Sequence, residues 1–115
     1  MIKDSEKIYK DSFGLWISGL FSAVLGSNPG LSFSEQKDEF FSLLRTWLNE
    51  EKILFCDPKD SLGNPWRANT NEIISYLQDR WPISAQSEDD SDLNLYFYEI
   101  PAILWVGDDG KLYGS

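Results

Sequence analysis

The chain has no histidine, one cysteine and one methionine among its 115 residues. Without histidine it lacks the commonest general base at neutral pH and the commonest zinc ligand. The lone Cys56 excludes an intramolecular disulfide, disfavours a zinc site and suits a reducing compartment. It also has no imidazole to activate it, and the run Ile53-Leu54-Phe55-Cys56 reads as the setting of a buried, inert thiol. Bases are scarce: ten Lys and Arg face nineteen Asp and Glu, a net charge of −9. Such a field repels nucleic acid and anionic lipid and suits a basic partner. Long apolar runs are missing too. The most apolar stretch, Phe13 to Leu25, is interrupted by Ser18, Gly19 and Ser22, and falls well short of the roughly 20 residues that cross a bilayer. The opening Met-Ile-Lys-Asp-Ser-Glu-Lys does not read as a secretory signal. These absences predict a soluble, cytoplasmic protein that binds rather than catalyses, with no cofactor, no bound metal, no nucleic acid and no membrane.

What is present is aromatic and acidic. Aromatics make up 15% of the residues, including five Trp and seven Phe, which is core material that a disordered acidic tail would not carry. The length fits one domain spanning 1–115, in which folding hides roughly two-thirds of the unfolded surface. The charge is uneven. Beyond Arg80 the acids Glu88, Asp89, Asp90, Asp92, Glu99, Asp108 and Asp109 face Lys111 alone.

Phe13, Trp16, Ile17, Leu20, Phe21 and Val24 recur at helical spacing and predict a helix over 4–26, with Gly14, Ser18, Ser22 and Gly26 as a small-residue row. Ser32 and Glu35 have capping-box spacing ahead of Phe40, Phe41, Leu44, Trp47 and Leu48, which predicts a second helix starting near Ser32 or Ser34 and ending near Asn49. Residues 53–56 fit either a final turn or a short strand. Turn residues make 57–68 a loop, whose Trp66 either folds back onto the core or stands out to anchor a partner. Asn69 and Glu72 repeat the capping pattern before a third helix over 70–80, closed by Pro82. The acidic, Ser-rich 83–92 reads as exposed and mobile. Alternation from Leu93 to Tyr98 predicts a strand, with Tyr96 and Tyr98 on one face and Phe97 on the other. A second strand over 102–106, the Gly107-Asp108-Asp109-Gly110 turn and a third strand over 111–113 complete a hairpin. The expected class is α+β, about three helices followed by a small antiparallel sheet at the C-terminus.

No pattern specifies a reaction. Carboxylates are plentiful, but no pair has a spacing that predicts acid–base work, so a carboxylate enzyme ranks last. Glu88, Asp90, Asp92, Asn94 and Glu99 echo a calcium loop, yet Leu93 stands where that loop needs glycine. The Gly107–Gly110 turn bears carboxylates and would repel phosphate. What remains is a docking surface: Glu88, Asp89, Asp90 and Asp92 to steer a basic partner, Tyr96 and Tyr98 as aromatic contacts, Asp108 and Asp109 as further acids, and Trp66 as an anchor.

Gly14-Leu15-Trp16, the run Ile100-Pro101-Ala102-Ile103-Leu104-Trp105 and the closing Asp109-Gly110-Lys111-Leu112-Tyr113-Gly114-Ser115 resemble small bacterial proteins of an uncharacterised domain family associated with contact-dependent growth-inhibition and related polymorphic toxin loci. The resemblance covers the two ends of the chain better than its middle. It implies an immunity protein that binds and neutralises the C-terminal domain of a cognate toxin, commonly a nuclease with a basic cleft. The alternative is a non-enzymatic adaptor or structural protein that self-associates, and homo-oligomers fit either reading.

Overall fold

The computed structural model describes residues 5–60, 62–87 and 89–114. Its first two helices, α1 (Ser5–Ser12) and α2 (Ile17–Ser27), replace the single helix expected over 4–26. The break lies at Gly14, whose φ of +85° is a left-handed conformation that costs glycine little. Leu15 N–H then donates to the Ser12 carbonyl at 2.8 Å, and Trp16 takes an extended backbone as the N-cap of α2. Core burial restarts one residue later with Ile17, Leu20, Phe21 and Val24.

Helix α3 (Phe33–Asn49) begins where its cap predicts. Glu35 N–H donates to Ser32 Oγ at 3.1 Å, and Ser32 N–H donates to Glu35 Oε1 at 3.0 Å. The bond from the Ser32 backbone, then that from its side chain, holds the Glu35 carboxyl below its usual range. Helix α3 ends in a Schellman arrangement: Lys52 N–H reaches the Trp47 carbonyl and Glu51 N–H the Leu48 carbonyl. Glu51 stands at φ +59°, where glycine is usual.

That reversal feeds β1 (Ile53–Phe55), so the run left open between turn and strand is a strand. It pairs antiparallel with β2 (Ile103–Val106) in the register Ile53↔Trp105, Leu54↔Leu104 and Phe55↔Ile103. β2 pairs antiparallel with β3 (Leu112–Tyr113) through Val106↔Leu112 and Trp105↔Tyr113. The sheet order is β1-β2-β3, with one strand drawn from mid-chain rather than all from the C-terminal hairpin. The loop after β1 folds back along it: Trp66 N–H donates to the Phe55 carbonyl at 2.7 Å, and Cys56 bridges Pro65.

Helix α4 (Thr70–Asp79) is capped by Asn69, whose Oδ1 accepts from Glu72 N–H at 2.9 Å. The strand expected over 93–98 is instead helix α5 (Ser91–Glu99). Asp90 caps it, accepting from Asp92 N–H at 2.8 Å and Leu93 N–H at 3.4 Å. Leu93, Tyr96, Phe97 and Ile100 are the buried residues, at steps of three, one and three, so the helical period wins over the alternating one. Pro101 then separates α5 from β2. The chain is α+β, with five helices and a three-stranded antiparallel sheet among the described residues.

Each of these helices contributes to the core. Phe21, Phe40, Trp81 and Phe97 meet ring to ring, with Phe21–Phe40 centroids at 5.2 Å and Phe21–Phe97 at 5.4 Å. Buried Gln36 ties α3 to α2 by donating to the Phe21 carbonyl at 3.1 Å. Tyr9 ties α1 to the sheet, its hydroxyl 3.0 Å from the Lys52 carbonyl and 2.9 Å from that of Val106. No helix among the described residues is long and apolar enough to cross a membrane.

Candidate functional site

The acids expected to steer a partner fall into two groups. Glu88 lies outside the described residues. Asp89 is exposed, but Asp90 is committed to capping α5, and Asp92 accepts from Ser84 Oγ at 2.9 Å. The stretch expected to be mobile thus enters a helix at its end. Helix α5 also occupies positions that a calcium loop would need, and no group of three or more acids or thiols able to hold a metal occurs among the described residues. Asp108 and Asp109 form the second group, in the β2–β3 turn. Asp109 accepts from the Tyr113 hydroxyl and from Lys111 N–H. Those bonds, the Tyr113 one foremost, hold its carboxyl below the usual range, while Asp109 raises the Tyr113 phenol.

The two tyrosines part company. A strand would place them on one face, but the helix turns Tyr96 inward at 5% exposure and leaves Tyr98 outward at 75%. The Tyr96 hydroxyl donates to the Leu77 carbonyl at 2.6 Å, and burial pushes its pKa far up. It is a core residue. Trp66 is half-buried, edge-on to Tyr76 at 5.1 Å, which is the fold-back arrangement rather than the projecting one. Cys56 is partly buried, and burial, followed by the charge of Asp60, pushes its thiol pKa up.

The structure brings forward residues that periodicity assigned to the core. Trp16, on the connection between α1 and α2, is 54% exposed. Its ring lies 6.4 Å from that of Tyr98. Together with Ile17, Phe97, Ile100 and Ile103 they line an apolar groove of about 410 Å³. Phe13, on the same connection, is partly exposed and packs against Tyr113 at 5.6 Å and Trp105 at 5.7 Å. Trp105 Nε1 donates to the Leu15 carbonyl at 3.0 Å, fixing this connection to the sheet. Exposed Leu15, Leu95 and Leu112 add to the apolar surface. The usable signal was Gly14, which breaks the helix between Phe13 and Trp16 and so frees both from the core-facing row.

A second groove, of about 690 Å³, opens beyond Phe13, between α1 and the β2–β3 turn. Tyr9, Phe13 and Tyr113 give it aromatic walls, and Glu6, Asp108 and Asp109 give it carboxylates. Burial, and then the charge of Asp108, raise the Tyr9 phenol.

No protein-family model and no curated protein matches the chain. Among solved structures it is similar to an uncharacterised protein conserved in bacteria, from Neisseria meningitidis. The TM-score is 0.75 at 20% sequence identity, and the match covers 95% of this chain and 84% of that one. The likeness at that identity shows a shared fold.

Proposed function

We propose that this chain is a protein-binding domain for a basic partner, and, following the resemblance of its sequence, an immunity protein that neutralises a cognate toxin domain without catalysing a reaction. The observation that carries the binding reading is the exposed Trp16–Tyr98 pair over its apolar groove. Large rings left in water beside apolar side chains are characteristic of contact surfaces, and Trp and Tyr are enriched where binding energy concentrates. The charge supports the sign of the partner: at −9 the chain would attract a basic domain and repel a second copy of itself. The steering acids of this reading are Asp89, Asp108 and Asp109. Asp90 and Asp92 contribute charge while supporting α5.

The test is a pull-down of the protein encoded beside this one, at low and high salt, using the native chain and a Trp16→Ala/Tyr98→Ala variant. Stoichiometric capture of a basic domain, loss of that domain's toxicity, and at least a tenfold weaker interaction for the variant are expected, since aromatic hot spots cost about 2 kcal/mol or more on truncation. Both side chains are exposed, so the variant should melt with the native protein. Absence of capture by folded native chain would refute the immunity reading. Concentration-dependent mass with no capture would instead favour the self-associating adaptor.

A further inference from the structure

We infer that the groove between α1 and the β2–β3 turn receives an arginine side chain of the basic partner, its guanidinium held by Asp108 against the rings of Phe13 and Tyr113. This rests on the binding reading above and specifies one contact within it.

The groove's charges do not cancel. Lys10 is paired with Glu6 at 3.6 Å, and Lys52 with Glu50 at 3.6 Å. Asp109 is occupied by Tyr113 and Lys111. Asp108 has no hydrogen bond or ion pair among the described residues, although it lines the groove. The groove lining thus carries three carboxylates, Glu6, Asp108 and Asp109, against two lysines, and Asp108 is the carboxylate left without a bond among the described residues. The walls suit a cation as well. The Lys52 ammonium already sits 5.4 Å from the centre of the Tyr9 ring. The rings of Phe13 and Tyr113 stand 5.6 Å apart with a 57° tilt, and both keep part of their surface in water. A flat, weakly hydrated guanidinium can lie on such a ring while its N–H groups reach a carboxylate. A lysine ammonium is a hydrated point charge and gains less from the same walls. The net charge of −9 argues against a second copy as the donor.

The probe is tri-arginine amide, titrated into isotope-labelled full chain and followed by NMR, with tri-lysine amide and tri-glutamate as controls. Tri-arginine should shift the amides of Asp108 to Tyr113 and the ring of Phe13 in one saturable process, with tri-lysine weaker and tri-glutamate silent. Asp108→Asn removes the charge and breaks no hydrogen bond or ion pair among the described residues, so it should fold normally and weaken tri-arginine binding roughly threefold to fivefold, as an exposed charge pair predicts. Equal shifts from tri-lysine, shifts spread over the whole acidic surface, or unchanged affinity in Asp108→Asn would each overturn the assignment. The same variant separates this inference from the reading beneath it. If the neighbouring gene's product is captured equally well by Asp108→Asn but lost with Trp16→Ala/Tyr98→Ala, the arginine contact is wrong and the binding reading stands. Saturable, Asp108-dependent tri-arginine binding without any capture would support the groove and refute the immunity role.

Discussion

Replacing Tyr96 by Phe tests the conversion of the expected strand into α5 more sharply than any other change. The Tyr96 hydroxyl donates to the carbonyl of Leu77 at 2.6 Å inside the core. Leu77 lies in the last turn of α4, where carbonyls have no partner further along the helix. Phe fills the same volume, so no cavity opens, and the loss is that of one buried hydrogen bond together with an orphaned carbonyl, about 1–2 kcal/mol. With an unfolding entropy of ~2.1 cal/mol/K per residue, 1 kcal/mol lowers the Tm of a 115-residue chain by ~4 °C, so a drop of about 4–8 °C is expected by circular dichroism. Tyr98→Phe, on the exposed side of the same helix, should leave Tm unchanged. The phenol of Tyr96 has its pKa raised well above the ordinary value near 10 in the folded state, chiefly by burial. Its contribution is therefore fully present below the unfolded pKa and is lost as pH rises beyond it, because the unfolded chain releases this proton first. Native protein should lose stability above pH 10 more steeply than Tyr96→Phe. Equal effects of Tyr96→Phe and Tyr98→Phe would refute the helical placement of both residues.

Three further substitutions probe the scaffold, each read by urea denaturation. Ser12 Oγ is buried without a hydrogen-bond partner among the described residues, so Ser12→Ala should be neutral or stabilising by up to about 1 kcal/mol, and a clear loss would show that the hydroxyl has a partner after all. Ser32→Ala breaks the capping box of α3 and should cost about 1 kcal/mol, with no change indicating that the helix starts elsewhere. Glu51→Gly relieves a left-handed backbone at the α3 exit and should stabilise by about 0.5–1 kcal/mol, whereas a loss would mean that the Glu51 side chain offsets that strain.

Elements bounded by their own chemistry were legible in the sequence. Ser32 with Glu35, Asn69 with Glu72, and the Gly107-Asp108-Asp109-Gly110 turn each mark a boundary that the structure keeps. Residues 93–100 were ambiguous because two patterns share them. Leu93, Leu95 and Phe97 alternate like a strand, while Leu93, Tyr96, Phe97 and Ile100 follow a helix. Asp90 decided between them by capping, a role hidden within an acidic run. The same error misplaced Tyr96 in the site. Trp16 was lost to the opposite ambiguity, since it continues a helical series that Gly14 interrupts. The acidic turn at 108–109 was found, but its neighbours Tyr9 and Phe13 lie about a hundred residues earlier, and only the packing of α1 against the sheet brings them together.

The five tryptophans are graded in their access to water. Trp47, Trp81 and Trp105 are buried, Trp66 is half-covered, and Trp16 is the most open. The chain thus carries its own optical probe at the proposed contact face. A quencher dissolved in water should reach the Trp16 indole first, so protection of that fraction of the emission would signal an occupied surface, while the shielded fraction would report that the fold beneath it is intact.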